Sequence, residues 1–113
     1  MLNTYDFTRE ARHMSYRPIR AIAPSFVKSY RYRIYTENVH IRAIYKLCDS
    51  VLSGYTIALT RGVWEKTHEA SLYIEFIGTE SDAKIRKLAE SIKVRNNQSA
   101  VLVTRESIES VLL

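Results

Sequence analysis

The stretch GVWEKTHEASLYIEF, running from Gly62 to Phe76, holds the only tryptophan among 113 residues and decides how the rest of the chain is read. Leu72, Ile74 and Phe76 occupy every second position, with Ser71, Tyr73 and Glu75 between them. A strict period of two is the signature of a half-buried strand. Immediately upstream, GYTIALTRG (Gly54–Gly62) sets Tyr55, Ile57 and Leu59 against Thr56, Ala58 and Thr60 with the same period. Two such runs joined by a short polar segment predict a β-hairpin. Its mouth then carries Trp64 and a cluster of ionisable groups, Glu65, Lys66, His68 and Glu69.

Outward from the hairpin the periods change. Upstream, SYRYRIYTE (Ser29–Glu37) alternates Tyr30, Tyr32 and Ile34 with Arg31, Arg33 and Tyr35, which is a strand. Val39, Ala43, Leu47 and Val51 then recur at helical spacing, with Ile44 and Cys48 widening the stripe. Thr36 or Asn38 is placed to cap this helix, and Gly54 to stop it as a C′ glycine. Downstream, Gly78 closes the second hairpin strand, and Thr79 with Asp82 resembles a capping box. Ile85, Leu88, Ala89 and Ile92 mark an amphipathic helix that NNQ (Asn96–Gln98) breaks. SAVLVTR (Ser99–Arg105) reads as a fourth strand, and ESIESVLL (Glu106–Leu113) as a short terminal strand or helix. The order β-α-β-β-α-β is the ferredoxin-like arrangement, an α+β domain with two helices on one face of a four-stranded antiparallel sheet.

A chain of this length supports one domain with a modest core. Residues 1–28 contain both prolines and no sustained period, so they read as an N-terminal arm, with a short helical piece near Phe7–Met14. Residues 29–113 read as the domain. The net charge of +5 is unevenly spread: seven basic residues face only Asp6 and Glu10 before Thr36, and ten of each sign follow. The folded body is therefore not a basic platform, and nucleic acid is not an expected partner of it. The basic arm is the one place where phosphates could be met; it could equally pack on the body or on a neighbouring subunit. No apolar run approaches the roughly 20 residues of a membrane span. The N-terminus lacks the apolar core of a secretory signal. The lone Cys48 falls in the helical stripe as a small core residue of a reducing compartment, which points to the cytoplasm.

If Leu72, Ile74 and Phe76 face the helices, period-two geometry sends Glu69, Ser71, Tyr73 and Glu75 to the uncovered face. Thr56, Ala58, Thr60 and Tyr35 are their expected neighbours, with one of the Val101/Val103 and Ala100/Leu102 pairs. This surface mixes hydroxyl, aromatic and small apolar groups and invites burial against other copies of the chain, with a ligand cleft where they meet. The arm folding across it is the alternative. His13, His40 and His68 are scattered, so no metal site is expected, and no Gly-rich phosphate loop or GxSxG elbow is present. The candidate is Glu69, a carboxylate at the start of the third strand, expected near Tyr55, Thr56 and Thr60. It is suited to a ligand cation or ammonium; the plainer reading is a rim salt bridge to Lys66 or Arg61. Trp64 is either a lid over an aromatic or cationic ligand or a tip aromatic that docks on a neighbour. Tyr55 is either a core residue or a ring beside the ligand.

The spacing Gly54-Tyr55-Thr56, Gly62-x-Trp64, Glu69-x-Ser71-Leu72-x-Ile74-Glu75-x-Ile77-Gly78, followed by a helix and AVLVTR (Ala100–Arg105), resembles the PII-like proteins. That resemblance covers Tyr30 to Arg105 and implies a homotrimer binding adenine nucleotides or related ligands between subunits. The chain departs from the signalling members, because its hairpin is too short for their long regulatory loop and their Gly- and Lys-based phosphate contacts are missing. Gly54-Tyr55, Gly62-Val63-Trp64, Glu69 and Gln98-x-x-Val101-Leu102-Val103 are similar to the pattern of phage-encoded S-adenosylmethionine-degrading enzymes. This second resemblance implies a lyase that splits S-adenosylmethionine into methylthioadenosine and homoserine lactone without metal or cofactor, in the cytoplasm of a host cell. Under it Glu69 is the catalytic residue, and Tyr55, Thr56, Thr60 and Trp64 bind the substrate. A non-catalytic module that binds an adenine nucleotide, and a protein that binds through its basic arm, are the alternatives.

Overall fold

Tyr32 stands opposite Phe76 and Ile34 opposite Ile74 in an antiparallel ladder, with the Tyr32 and Phe76 rings stacked at 5.1 Å. The computed structural model describes residues 23–113; the helical piece expected near Phe7–Met14 and most of the expected arm lie outside them. In chain order the elements are β1 (Val27–Glu37), α1 (Ile41–Val51), β2 (Thr56–Trp64), β3 (Thr67–Gly78), α2 (Asp82–Arg95) and β4 (Leu102–Ser110). The sheet order is β2-β3-β1-β4, with β3 antiparallel to both β1 and β2. This is the expected ferredoxin-like α+β fold. Residues Ser29–Ile108 form one compact unit; 23–28 and 109–113 are the described residues outside it.

Both helices cover one face of that sheet. Their contact residues are Ile44, Cys48 and Leu52 from α1 and its end, and Ile85, Leu88, Ala89 and Ile92 from α2. They bury against Tyr32, Ile34, Leu72, Ile74 and Phe76. Fully burying each large apolar side chain is worth about 1.5–3 kcal/mol. The α2 stripe is the one expected. The α1 stripe is centred on Ile44 and Cys48, flanked by Ile41, Leu47 and Val51, while Val39 lies outside the helix and half exposed.

Several element ends differ from expectation for a common reason: sheet and core bonding outweighs local signals. Asn38 still donates its N–H to Ala70 across the end of the sheet, the chain bends at Asn38 and Val39, and α1 begins at Ile41. His40 occupies the N-cap without a side-chain bond. Thr36 cannot cap, because it is buried and bonded to Asn96 and Gln98. At the other end Leu52, buried and extended, donates its N–H to Cys48, and Gly54 has no left-handed backbone. Ser81, not Thr79, caps α2 by accepting from the Lys84 N–H at 3.3 Å. The expected terminal element is not separate, since Glu106–Ser110 simply continues β4.

A buried polar knot ties the end of α2 to the end of β1. Asn96 Nδ2 lies 2.9 Å from Thr36 Oγ1, 3.1 Å from the Glu37 carbonyl and 3.1 Å from Gln98 Oε1. Gln98 Oε1 in turn accepts from Thr36 and from the Glu37 N–H. Asn97 turns the chain with φ 53°, a left-handed conformation asparagine tolerates. Asn96→Ala removes the shared donor, leaves the Glu37 carbonyl without it, and is expected to remove about 1–3 kcal/mol. A lower urea midpoint at unchanged slope is the expected readout; an unchanged midpoint would show that the knot adds nothing.

Burial, and after it the Asp49 charge, push the Cys48 thiol up to about 12 from 9.0. Between those values the unfolded chain loses its proton while the folded one keeps it, so stability falls as pH rises through that window. At pH 8 the native thiol is expected to resist a disulfide-exchange reagent and to react fully once urea unfolds the protein. Rapid native labelling would contradict the buried placement.

Candidate functional site

The strand register assembles the uncovered face row by row. Arg33, Glu75 and Thr56 share one row, Tyr35, Tyr73 and Ala58 the next, and Glu37, Ser71 and Thr60 the third. Glu69 and Gly62 form a fourth row at the hairpin end. Contacts agree with this placement. Arg33 Nε donates to Glu75 at 2.7 Å and its guanidinium lies 4.4 Å from the Tyr73 ring centre. Tyr35 and Tyr73 rings tilt together at 5.5 Å. Bonds to the Tyr35 hydroxyl and then to Glu75 hold the Arg33 proton more firmly than usual. Arg31 bonds Glu106 at 3.1 Å, which puts Glu106 on this face. Alternation then carries Leu102 and Thr104 there too, whereas Val101 packs on the core. Of the two pairs left open by sequence, Ala100/Leu102 is the one that faces out.

At the hairpin end the site is built around a missing side chain. A Cβ at Gly62 would sit 3.2 Å from Ser71 Oγ and 3.9 Å from Glu69 Cγ, so the glycine lets both side chains lie over the strand. Thr60 Oγ1 and Ser71 Oγ share a hydrogen bond of 2.7 Å. Trp64, two residues beyond Gly62 and therefore on the same face, is 71% exposed. Among the described residues no hydrogen bond or ion pair engages the Glu69 carboxylate. The rim bridge to Lys66 or Arg61 is not formed, and the ion pairs present are elsewhere. Glu65 and Lys66 alone make the tip, with φ 48° and 68°, the geometry of a two-residue type I′ turn. They point to solvent.

Glu69, Thr60 and Trp64 are thus brought together, but Tyr55 and Thr56 are not. Thr56 stands opposite Glu75, and Tyr55 precedes it, seven residues from Gly62 along the strand. At about 3.3 Å per residue that is more than 20 Å away. The expectation that they neighbour Glu69 is corrected, because in an extended strand sequence distance becomes real distance. Tyr55 instead turns to the helix side, packs on the core and donates its hydroxyl to Asp49 Oδ1 at 2.6 Å. That bond first, and burial second, raise its pKa above the ordinary phenol range.

The structure adds one residue to this end. Glu37 continues the alternation of β1 by one step and lies directly across from Ser71. The expected strand SYRYRIYTE already reaches Glu37, but nothing in that stretch by itself marks Glu37 as a site residue. Among the described residues no three His, Cys, Asp or Glu side chains gather where a metal ion could sit. Among them, too, no helix is long and apolar enough to cross a membrane.

Compared by sequence, the chain matches no family model and no curated protein. Compared by structure it is similar to PII-like proteins. CPII, a nitrogen regulatory PII-like protein from Thiomonas intermedia K12 solved with ADP, AMP and bicarbonate, aligns at 18% identity. The alignment covers 76% of this chain and 96% of that one, with a TM-score of 0.59. A phage SAM lyase solved with S-methyl-5′-thioadenosine aligns at 15% identity over 74% of this chain and 90% of that one, with a TM-score of 0.56. The fold is therefore the ferredoxin-like fold of PII-like proteins, one that also serves a lyase.

Lys66 offers a local test of the hairpin geometry. Glycine adopts its left-handed backbone without the side-chain clash, worth about 1–2 kcal/mol, though glycine also loosens the unfolded chain by up to about 1 kcal/mol. Lys66→Gly is expected to raise the melting temperature slightly; a clear drop would contradict the type I′ turn.

Proposed function

We propose that the protein is an S-adenosylmethionine lyase, cutting its substrate into 5′-methylthioadenosine and homoserine lactone in clefts between the subunits of a homotrimer. The observation that carries this reading is the Glu69 carboxylate, unpaired among the described residues, lying over Gly62 beside Trp64 and the Thr60–Ser71 hydroxyl pair. The likeness in fold to a phage SAM lyase supports it.

The reaction asks little of a protein. A carboxylate oxygen of the substrate bonds to its own γ-carbon while the carbon–sulfur bond breaks. Sulfur leaves with the electron pair as a neutral thioether, and no proton moves. Neither a protein nucleophile nor a cofactor is needed, so catalysis reduces to holding the methionine arm folded for attack. A sulfonium and a carboxylate neutralise each other as the bond forms. Charge disappears on the way to the transition state, and a water-poor cleft therefore favours it. This decides between two roles for Glu69. Beside the sulfonium it would stabilise the ground state more than the transition state, whereas the ammonium keeps its charge throughout. Glu69 is accordingly assigned to the ammonium. Trp64 closes the cleft over the ligand and Thr60 borders it. Tyr55, held by Asp49 on the helix side, and Thr56, opposite Glu75, take no part in this reading. The host cytoplasm is the place of action.

A second reading, a non-catalytic PII-like module for an adenine nucleotide, is favoured by the likeness to CPII, which was solved with ADP and AMP. The two separate cleanly. Incubated with S-adenosylmethionine, the purified protein is expected to release methylthioadenosine, resolved by chromatography, and Glu69→Gln to slow release by about 10²-fold through loss of positioning. Full activity in Glu69→Gln would remove its assignment. No release, with a thermal shift on adding ATP, ADP or AMP, would favour the second reading.

A further inference from the structure

The charges that cancel along the sequence from Thr36 onward do not cancel in space. α1 and α2 carry seven basic side chains and three acidic ones. Two of the acids are already paired, Asp82 with Arg105 at 3.0 Å and Glu90 with Lys93 at 3.2 Å. That leaves Arg42, Lys46, Lys84, Arg86, Lys87 and Arg95, all exposed and without an ion-pair partner among the described residues. Against them stands Asp49 alone, which accepts the Tyr55 hydroxyl. The uncovered face of the sheet has the opposite excess. There Arg31 and Arg33 are paired, while Glu37 and Glu69 have no cation among the described residues.

Helical period gathers these cations on the outer surface. Arg42 and Lys46 stand two residues either side of Ile44, about 200° round the helix from that buried side chain. Lys87 has the same relation to Ile85 and Ala89. Lys84, Lys87, Ser91 and Arg95 follow at i, i+3, i+7 and i+11, a single stripe about 16 Å long. The helices pack side by side and follow antiparallel strands, so the Arg42 end of α1 meets the Arg95 end of α2. The bond from Asn96 to the Glu37 carbonyl marks that junction.

We infer that this helix layer binds a nucleic-acid backbone, without reading its bases. Three classes of partner carry negative charge, and the surface favours one. A protein partner is held by buried aromatic and apolar anchors, but Tyr45 and Val94 are the only large apolar side chains of the two helices that are exposed. A helix lying in a membrane surface buries its apolar face there, whereas both helices have committed theirs to the core. A phosphate backbone asks for a row of cations and little else. With one phosphate per 3.4 Å of axis on each strand, the α2 stripe spans about five of them. The inference goes beyond the proposed function and does not depend on it, because Glu69 lies on the opposite face of the sheet.

Charge reversal tests it. The full-length protein is titrated into a labelled duplex of about 20 base pairs and arbitrary sequence, with anisotropy as the signal. Circular dichroism verifies the fold of each variant. Binding is expected at micromolar protein in about 50 mM salt and to be the same for a second sequence. It is expected to weaken about 10²-fold in about 200 mM salt, the slope of about four phosphate contacts. Lys46→Glu with Lys87→Glu is expected to weaken binding at least tenfold and to flatten the salt slope. Arg61→Glu with Lys66→Glu alters the net charge equally but away from the helices, and is expected to bind nearly as the unaltered protein does. Equal losses in the two double variants would overturn the inference, since they would reflect net charge alone. So would undiminished binding after the helix reversals, or a duplex that the unaltered protein leaves free. A protein that ignores the duplex yet sediments with vesicles of phosphatidylcholine and phosphatidylserine would overturn it in favour of a membrane surface.

Discussion

The register of β3 between its two neighbours is the constraint on which everything else depends. Ile74 lies between Ile34 and Ile57, and Leu72 between Thr36 and Leu59. A slip of one residue on either side would turn Leu72, Ile74 and Phe76 to the uncovered face and Glu69, Ser71, Tyr73 and Glu75 into the core. Exposing three large apolar side chains forfeits about 5–9 kcal/mol, comparable with the whole stability of a small domain. Burying the carboxylates instead would add to that penalty. The same alternation that makes the core therefore fixes the composition of the opposite face. The site residues need no separate folding instruction.

That face is prepared unevenly. Near its middle the charges are satisfied: Arg33 bonds Glu75 and stacks on Tyr73, and Arg31 bonds Glu106. Toward the hairpin the pattern stops, and Glu69 lies over a glycine without a partner among the described residues. Exposed ion pairs contribute little by themselves, but a face that closes against another copy would bury them, and their pairing makes that burial tolerable. The unpartnered carboxylate is then the group left to meet something from outside. The knot of Asn96, Thr36 and Gln98 holds the adjoining end of β1, so Glu37 and Ser71 stay in register beside it.

The fold was legible in the sequence because each element carries its own period: two in SYRYRIYTE and ASLYIEF, near 3.6 in Ile85–Ile92. Element ends were not legible. Thr36 and Gly54 carry strong local signals for helix boundaries, yet Thr36 is consumed by a bond to Gln98, 62 residues away, and Gly54 follows a helix already ended by burial of Leu52. Such partners cannot be seen from neighbouring residues. The layout of the candidate site was legible where it followed from alternation, as in the shared face of Glu69, Thr60 and Trp64. It failed where proximity in sequence stood in for proximity in space, as for Tyr55, which the helix-side Asp49 claims.

The central claim is that the Glu69 end of the uncovered face holds the cationic arm of an adenosyl ligand between two copies of the chain. A crystal structure with an unreactive S-adenosylmethionine analogue, its sulfonium replaced by an amine-bearing carbon, tests that claim most directly. The account predicts the ligand's α-ammonium within hydrogen-bond distance of the Glu69 carboxylate, Trp64 over the cleft, and a second subunit forming the opposite wall. Ligand density at the Tyr55–Asp49 end of a single subunit, with Glu69 left in open solvent, would contradict it.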